Sequence, residues 1–297
     1  MSINLPTHYV QQYANTIALL LQQKNSRFES AVTVGSYIGK QASPVDQIGA
    51  IDMLPVTTRF APMGRVDAAL DRRWVSPSDF ELPQLIDSFD KLRLLNDPSS
   101  AYLQNAIQAA NRKKDDLIIA SFFASAKTGE VGGTTTAFAT STQTVGVSTG
   151  GTTSNLNVAK LRAGKKILMA NEVDFDEDQV FCAITATEHD SLLNEIQVVS
   201  TDFNDKPVLV EGRVTRFLGI NFIMSERLTT GTDDAAGTSR QIPMWAKSGM
   251  HLGVWNDMQT DITERKDLSG MPWQAYLAMS MGATRLEEKK IVRIWAR

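Results

Sequence analysis

The sequence predicts an α+β fold, and three observations carry that reading. One stretch, residues 98–126, has helix signals at both ends. Several later stretches alternate apolar with polar residues as strands do, and no internal repeat organises the chain. At 297 residues, 42% hydrophobic and 21% charged, the chain fits one large or two modest domains with a real core.

The elements follow in order. From Pro6 to about Gln23, Val10, Tyr13, Ile17, Leu20 and Leu21 recur at three- and four-residue steps, predicting a short amphipathic helix that docks as an arm. Residues 25–80 change character. The stretch "SYIGKQASPVDQIGAIDMLPVTTRFAPMGRVDAALDRRWV" mixes turn formers, β-branched residues and charges without a dense apolar pattern. It reads as an extended excursion that buries too little to offset its own ordering, so it either stays mobile or lies on something else, a neighbouring molecule being the natural candidate.

The 98–126 helix follows, with Asp97 as N-cap, Pro98 at the first helical position and Gly129 just past the end. At 1.5 Å per residue it runs about 40 Å. Its middle, Asn111, Arg112, Lys113, Lys114, Asp115 and Asp116, is polar on every face, which predicts a section outside any single core. Two readings stay open: a solvated stretch of surface helix, or charges that meet partners from other subunits. "TGEVGGTTTAFATSTQTVGVSTGGTTSNLN" then reads as short exposed strands and turns, spaced by Val131, Phe138, Val145 and Val147. Beyond it come a helix near Val158–Ala170, an acidic turn "DFDEDQ", a buried strand "VFCAITA", a helix from Glu188, and the alternating ribbon "RVTRFLGINFIMSERL". The last fifty residues read as strands, notably "DITERKDL" and "WQAYLAMSMGATRLEEKKIVRIWA".

Candidate chemistry is sparse. A net charge of −3 argues against a broad nucleic-acid-gripping basic face. One cysteine, Cys182, allows neither an intrachain disulfide nor a Cys-based zinc site, and its apolar strand context makes it a small hydrophobe. "MSINLPTHYV" lacks the flank and apolar run of a secretion signal, so the reading is cytoplasmic. The three histidines, at 8, 189 and 251, form no motif. Glu188, His189 and Asp190 point in different directions on a helix, and Thr187 with Asp190 reads as a helix start. The turn holding Asp174, Asp176, Glu177 and Asp178 lacks the glycine and distal glutamate of a calcium loop. Gly129, Gly132 and Gly133 are followed by threonines rather than by the Gly-Lys-Ser/Thr of a phosphate loop, and no serine sits in a nucleophile elbow. Lys40 could cross-link to a neighbour's Asn, but a plain surface lysine is the expectation.

The order of parts, arm, excursion, very long helix, α/β region and returning strands, resembles the tailed-bacteriophage major capsid proteins of the Hong Kong 97-type fold. "DSFDKLRLLNDPSSAYLQNAIQAANRKKDDLIIASFFASAKTGEVGG" resembles the family's segment leading into and through its spine helix. "VFCAITATEHDSLLNEIQ", "VLVEGRVTRFLGINFIMSERL" and "MSMGATRLEEKKIVRIWA" resemble its later strands. The resemblance implies an N-arm at 1–24, an E-loop at 25–80, a peripheral domain at 81–153 and 263–297, and an axial domain at 154–262. It implies pentamers and hexamers building an icosahedral head around double-stranded DNA, in which the E-loop lies across an adjacent copy.

The ribbon then belongs to the axial domain, where Gly219 is expected to permit a bulge or close approach. No long pro-region precedes the arm, which predicts a separate scaffolding protein; a portal and a decoration protein are further expected partners. Location is the virion, after assembly in the host bacterial cytoplasm. An encapsulin-like nanocompartment shell shares the fold and is the alternative, with a soluble enzyme behind it. No catalytic, cofactor or metal residues are expected. The subunit-interface candidates are Arg72, Arg73 and Trp74, which combine charge with a large aromatic, and Lys113, Lys114, Asp115 and Asp116.

Overall fold

The computed structural model describes residues 22–55, 57–59, 64–86, 99–195 and 214–297. The arm helix expected over residues 6–23 lies outside them except for Gln22 and Gln23, as do the expected cap residues Asp97 and Pro98. In chain order the strands and helices are β1 (Thr33–Ser36), β2 (Ala42–Ile48), β3 (Leu70–Val75), β4 (Ser78–Ile86), α1 (Ser99–Phe123), β5 (Ala126–Thr128), β6 (Thr134–Thr136) and β7 (Thr144–Val145). They continue with α2 (Val158–Ala170), β8 (Val180–Ile184), α3 (Ala186–Leu193), β9 (Arg216–Phe217), β10 (Ile220–Met224), β11 (Thr230–Thr232), β12 (Thr238–Ala246), β13 (Met250–Glu264), β14 (Trp273–Arg285) and β15 (Ile291–Ala296). The chain divides into two compact units, residues 1–25, 79–112 and 256–279, and residues 26–78, 113–255 and 280–297.

The second unit is organised by a sheet in the order β7-β15-β12-β8-β10-β9, with β11 paired to β12. Its central strands are apolar in near-continuous runs, as a sheet covered on both faces requires, with successive side chains pointing to opposite faces. Val180, Cys182 and Ile184 of β8, Ile242 and Met244 of β12, and Val292 and Ile294 of β15 pack with Leu161 and Leu168 of α2 and Leu192 of α3. The intervening residues Ala183, Trp245 and Ile291 face a second cluster with Phe28, Ile118 and Phe122. Trp245 is the hub there: its ring centroid lies 4.6 Å from that of Phe122, and its indole N–H donates to Ala31 O at 2.8 Å.

Local chemistry sets the ends of these elements. Asn157 caps α2 by accepting from the Lys160 N–H at 2.8 Å. For α3 the cap is Thr185, whose N–H donates to the Glu188 carboxylate at 2.9 Å in a capping box, which corrects the Thr187–Asp190 start read from sequence. The ribbon is a tight hairpin: Leu218 (φ 54°) and Gly219 (φ 81°) are both left-handed, the conformation of a two-residue hairpin turn, and β9 pairs antiparallel with β10. Gly219 thus serves a turn rather than the expected bulge or close approach. On its other side β10 runs parallel to β8, Phe222 opposite Cys182.

The Thr/Ser/Gly-rich stretch forms the short strands β5, β6 and β7 as expected, with Val131 exposed. Phe138, Val145 and Val147 are nonetheless buried, Phe138 in the cluster around Trp245 and Val145 in the one beneath α2. The 25–80 excursion contains a hairpin, β2 against β3, bulged between Ala42 and Val45 and extended by β5 and β6. Its root is held by β1, which runs parallel to the start of β13 with Thr33 opposite His251.

In the first unit, strand order β13-β14-β4 is reinforced where the Tyr276 hydroxyl meets the Glu81 carboxylate at 3.2 Å. Residues 99–112 of α1 also belong to it. There Asn105 and Arg112 bond the Gln22 side chain, and Asn111 donates to Lys24 O at 3.0 Å.

Candidate functional site

Among the described residues, several groups singled out from sequence are committed to structure. The Cys182 thiol is fully buried, which pushes its pKa up and leaves it inert. Glu188 is the capping residue just described, and His189 Nε2 accepts from the Val214 N–H at 3.1 Å. In the acidic turn, Asp174 Oδ1 accepts from the Asp176 N–H at 2.8 Å, and Asp178 bonds Ser248. Among the described residues no group of three or more His, Cys, Asp or Glu side chains could hold a metal ion.

His251 is the most tightly defined titratable group. The Thr33 hydroxyl spends its proton on Met250 O at 2.7 Å, so it accepts from Nδ1–H at 2.9 Å. Nε2 then accepts from the Tyr37 hydroxyl at 2.8 Å. The tautomer is fixed, the ring is neutral, and burial lowers its pKa to about 4. It is a structural rivet at the root of the excursion.

The seven interface candidates separate on inspection. Arg73 is 4% exposed: its Nε donates to Leu286 O at 2.8 Å and its guanidinium pairs with Glu288 at 2.7 Å and Asp71 at 3.2 Å. Glu288 also meets Arg285 at 3.4 Å, and Arg285 donates to Phe122 O, Ala124 O and Thr136 O, closing the C-terminal end of α1. Arg73 therefore joins the excursion to the body of its own chain. Arg72 and Trp74 are half-buried; Arg72 pairs bidentately with Asp46, which raises the Arg72 pKa and lowers that of Asp46, and stacks over Trp74 at 5.6 Å.

The mid-helix charges depart from expectation. Asp115 is 0% exposed and Lys114 3%. Asp115 accepts from Ser26 Oγ at 2.5 Å and from the Arg27 and Phe28 N–H groups, and Lys114 pairs with Glu29 at 3.0 Å. Asp116 holds Arg227 bidentately. The section expected to stand outside any core thus lies beneath residues 26–29, because incoming backbone donors and charges neutralise it there. Of the seven, Arg73, Lys114 and Asp115 are buried in internal contacts, and Arg72, Trp74, Lys113 and Asp116 remain partly or fully exposed.

Sequence reasoning missed Arg285, Glu288 and His251 as junction residues. The signal was present only as isolated charges beside apolar strands, without a spacing that names their partners.

What remains conspicuous is apolar surface along the excursion. Ile38 is 100% exposed, Met53 98%, Leu70 77%, Ile48 73%, Ile51 60% and Leu54 57%. Scattered exposed hydrophobics are ordinary; a run of large ones on one extended segment marks a contact surface. Among the described residues the groups singled out from sequence serve the fold, and the most exposed large apolar side chains cluster on the excursion.

The comparisons place it. The family described as phage capsid protein matches residues 5–296, so the chain belongs to that family. Among solved structures, the cyanophage P-SCSP1u capsid matches at TM-score 0.74 and 15% identity, covering 98% of this chain and 93% of that one. The cyanophage Pam1 capsid matches at 0.74 and 12%, covering 99% and 98%. The Ralstonia phage GP4 capsid matches at 0.71 and 14%, covering 100% and 98%. No curated protein sequence matches significantly. The fold is the Hong Kong 97-type α+β fold, and the chain is a major capsid protein of the phage head, a structural rather than catalytic component of the virion.

Proposed function

We propose that copies of this chain assemble as pentamers and hexamers into an icosahedral head enclosing double-stranded DNA, each excursion lying across an adjacent copy as an E-loop. The carrying observation is the exposed apolar run Ile48, Ile51, Met53, Leu54 and Leu70. Burying such side chains stabilises by about 1.5–3 kcal/mol each, and an adjacent copy offers the surface to do it. Residues 1–24 act as the N-arm, 25–80 as the E-loop, 81–153 and 263–297 as the peripheral domain, and 154–262 as the axial domain. Arg72, Trp74, Lys113 and Asp116 contribute to contacts between copies. The net charge of −3 suits a wall that confines DNA without gripping it. A separate scaffolding protein sets shell size, a portal occupies one vertex, and assembly takes place in the host bacterial cytoplasm. Replacing residues 50–66 with a short Gly-Ser linker tests the reading by negative-stain microscopy of the chain expressed alone and with scaffold. The variant keeps the circular dichroism of the wild type and forms no shells; normal shells from it would overturn the E-loop assignment.

A further inference from the structure

Helix α2 carries a face that the described residues leave open. Arg162, Lys165 and Lys166 recur at three- and four-residue steps with Met169, and with Leu218 they line a shallow recess of about 510 Å³ that has no acidic side chain in its lining. Arg162 and Lys166 are exposed and make no ion pair with any described residue; Met169 is 58% exposed. Lys165 is committed locally, its Nζ donating to Leu218 O at 2.8 Å and standing 5.0 Å from the Phe175 ring centroid.

The turn that follows the same helix has the opposite character. Glu172, Asp176 and Glu177 are exposed and enter no ion pair among the described residues. Asp174 and Asp178 are the turn's internal members, bonded to the Asp176 and Glu177 N–H groups and to Ser248. The two patches therefore sit close in sequence with complementary charge. Lys165 on the Phe175 ring links them, and among the described residues both sets of outer charges stay without an ion pair.

We infer that the cationic face of α2 (Arg162, Lys166) docks on the acidic turn (Glu172, Asp176, Glu177) of a second copy of this chain. The inference rests on the shell assembly proposed above and names one of its contacts. A surface of one sign that meets its opposite on an identical molecule adds register to an association driven by apolar burial, and like-charge juxtaposition penalises wrong registers. Exposed pairs are individually weak, so the contact acts through repetition over many copies.

Charge exchange in the full-length chain tests this. One variant combines Arg162→Glu with Lys166→Glu, a second combines Asp176→Lys with Glu177→Lys, and a third carries all four. Shell yield is read by sedimentation and negative-stain microscopy. Each two-site variant loses shell yield by about tenfold or more, while thermal unfolding of the unassembled chain is unchanged. The four-site variant recovers to within about threefold of wild type, and raising NaCl from about 0.05 to about 0.5 M weakens wild-type assembly but not that of the two-site variants. Two-site variants that assemble normally, or a four-site variant that fails to recover, overturn the contact. So does normal assembly joined to lost binding of a short DNA duplex, which would assign the face to nucleic acid. A wild-type chain that never assembles overturns the shell reading and this contact with it, whereas intact assembly of the reversed variants overturns the contact alone.

Discussion

Replacing His251 with Asn should abolish one acid-sensitive part of this protein's stability. The ring lies 7% exposed between Thr33 and Tyr37, and its pKa is held near 4 against an ordinary 6.5. Burial alone lowers it, with no charged group contributing. Because the folded value is depressed, the unfolded chain binds the proton first as pH falls. The contribution is complete above about pH 6.5, is lost progressively below it, and is gone near pH 4. A shift of about 2.5 units at about 1.36 kcal/mol per unit corresponds to about 3 kcal/mol over the whole window, of which about 2 kcal/mol is lost between pH 7.5 and pH 5. Asn keeps an amide donor near the Nδ1 position for Thr33, loses the acceptor for Tyr37 and does not titrate. The assay is urea unfolding of the unassembled chain at about pH 7.5 and about pH 5, with tryptophan fluorescence as readout. The wild type loses about 2 kcal/mol more than His251→Asn across that interval. Equal losses in the two proteins would refute the buried neutral histidine.

Two further outcomes follow from the same accounting. Asp115→Ala removes a buried acceptor serving Ser26, Arg27 and Phe28, leaving two backbone donors unpaired, so the urea midpoint falls by the equivalent of about 3 kcal/mol, while Asp115→Asn retains part of it. Met271→Gly relieves a left-handed residue (φ 44°) whose side chain is 53% exposed; it raises stability by about 1 kcal/mol, read as a higher unfolding midpoint, and a lower midpoint would show that the side chain packs.

Periodicity made much of this architecture legible, and the limits of legibility fall where partners come from far along the chain. Helix α2 matches its expected bounds, Val158–Ala170, because apolar spacing and an Asn cap are local facts. Strand β8 is legible for the same reason: a short apolar run bounded by turn formers admits few other readings. The start of α3 was misplaced by two residues because Thr185 and Thr187 both precede an acid three positions on, and only the backbone decides which of them caps. The polar middle of α1 was misread for a deeper reason. An all-round polar stretch excludes an apolar core, but it does not exclude a buried polar junction, and whether Asp115 is solvated or satisfied depends on residues 26–28, almost ninety positions away.

That last distinction bears on how a capsid protein can have a strong interior. A chain that must offer apolar surface to its neighbours cannot spend all of that surface on itself, so part of its internal cohesion has to be polar. Here the junctions are Asp115 beneath the segment at 26–28, Glu288 shared by Arg73 and Arg285, and His251 between Thr33 and Tyr37. Each is satisfied by groups distant in sequence and therefore needs a particular geometry. Polar junctions of this kind hold only at correct distances and angles, whereas apolar contacts tolerate sliding. The exposed Ile48, Ile51, Met53, Leu54 and Leu70 thus belong to a segment whose root is tied by such geometry, Thr33 to β13 and Arg73 to Leu286.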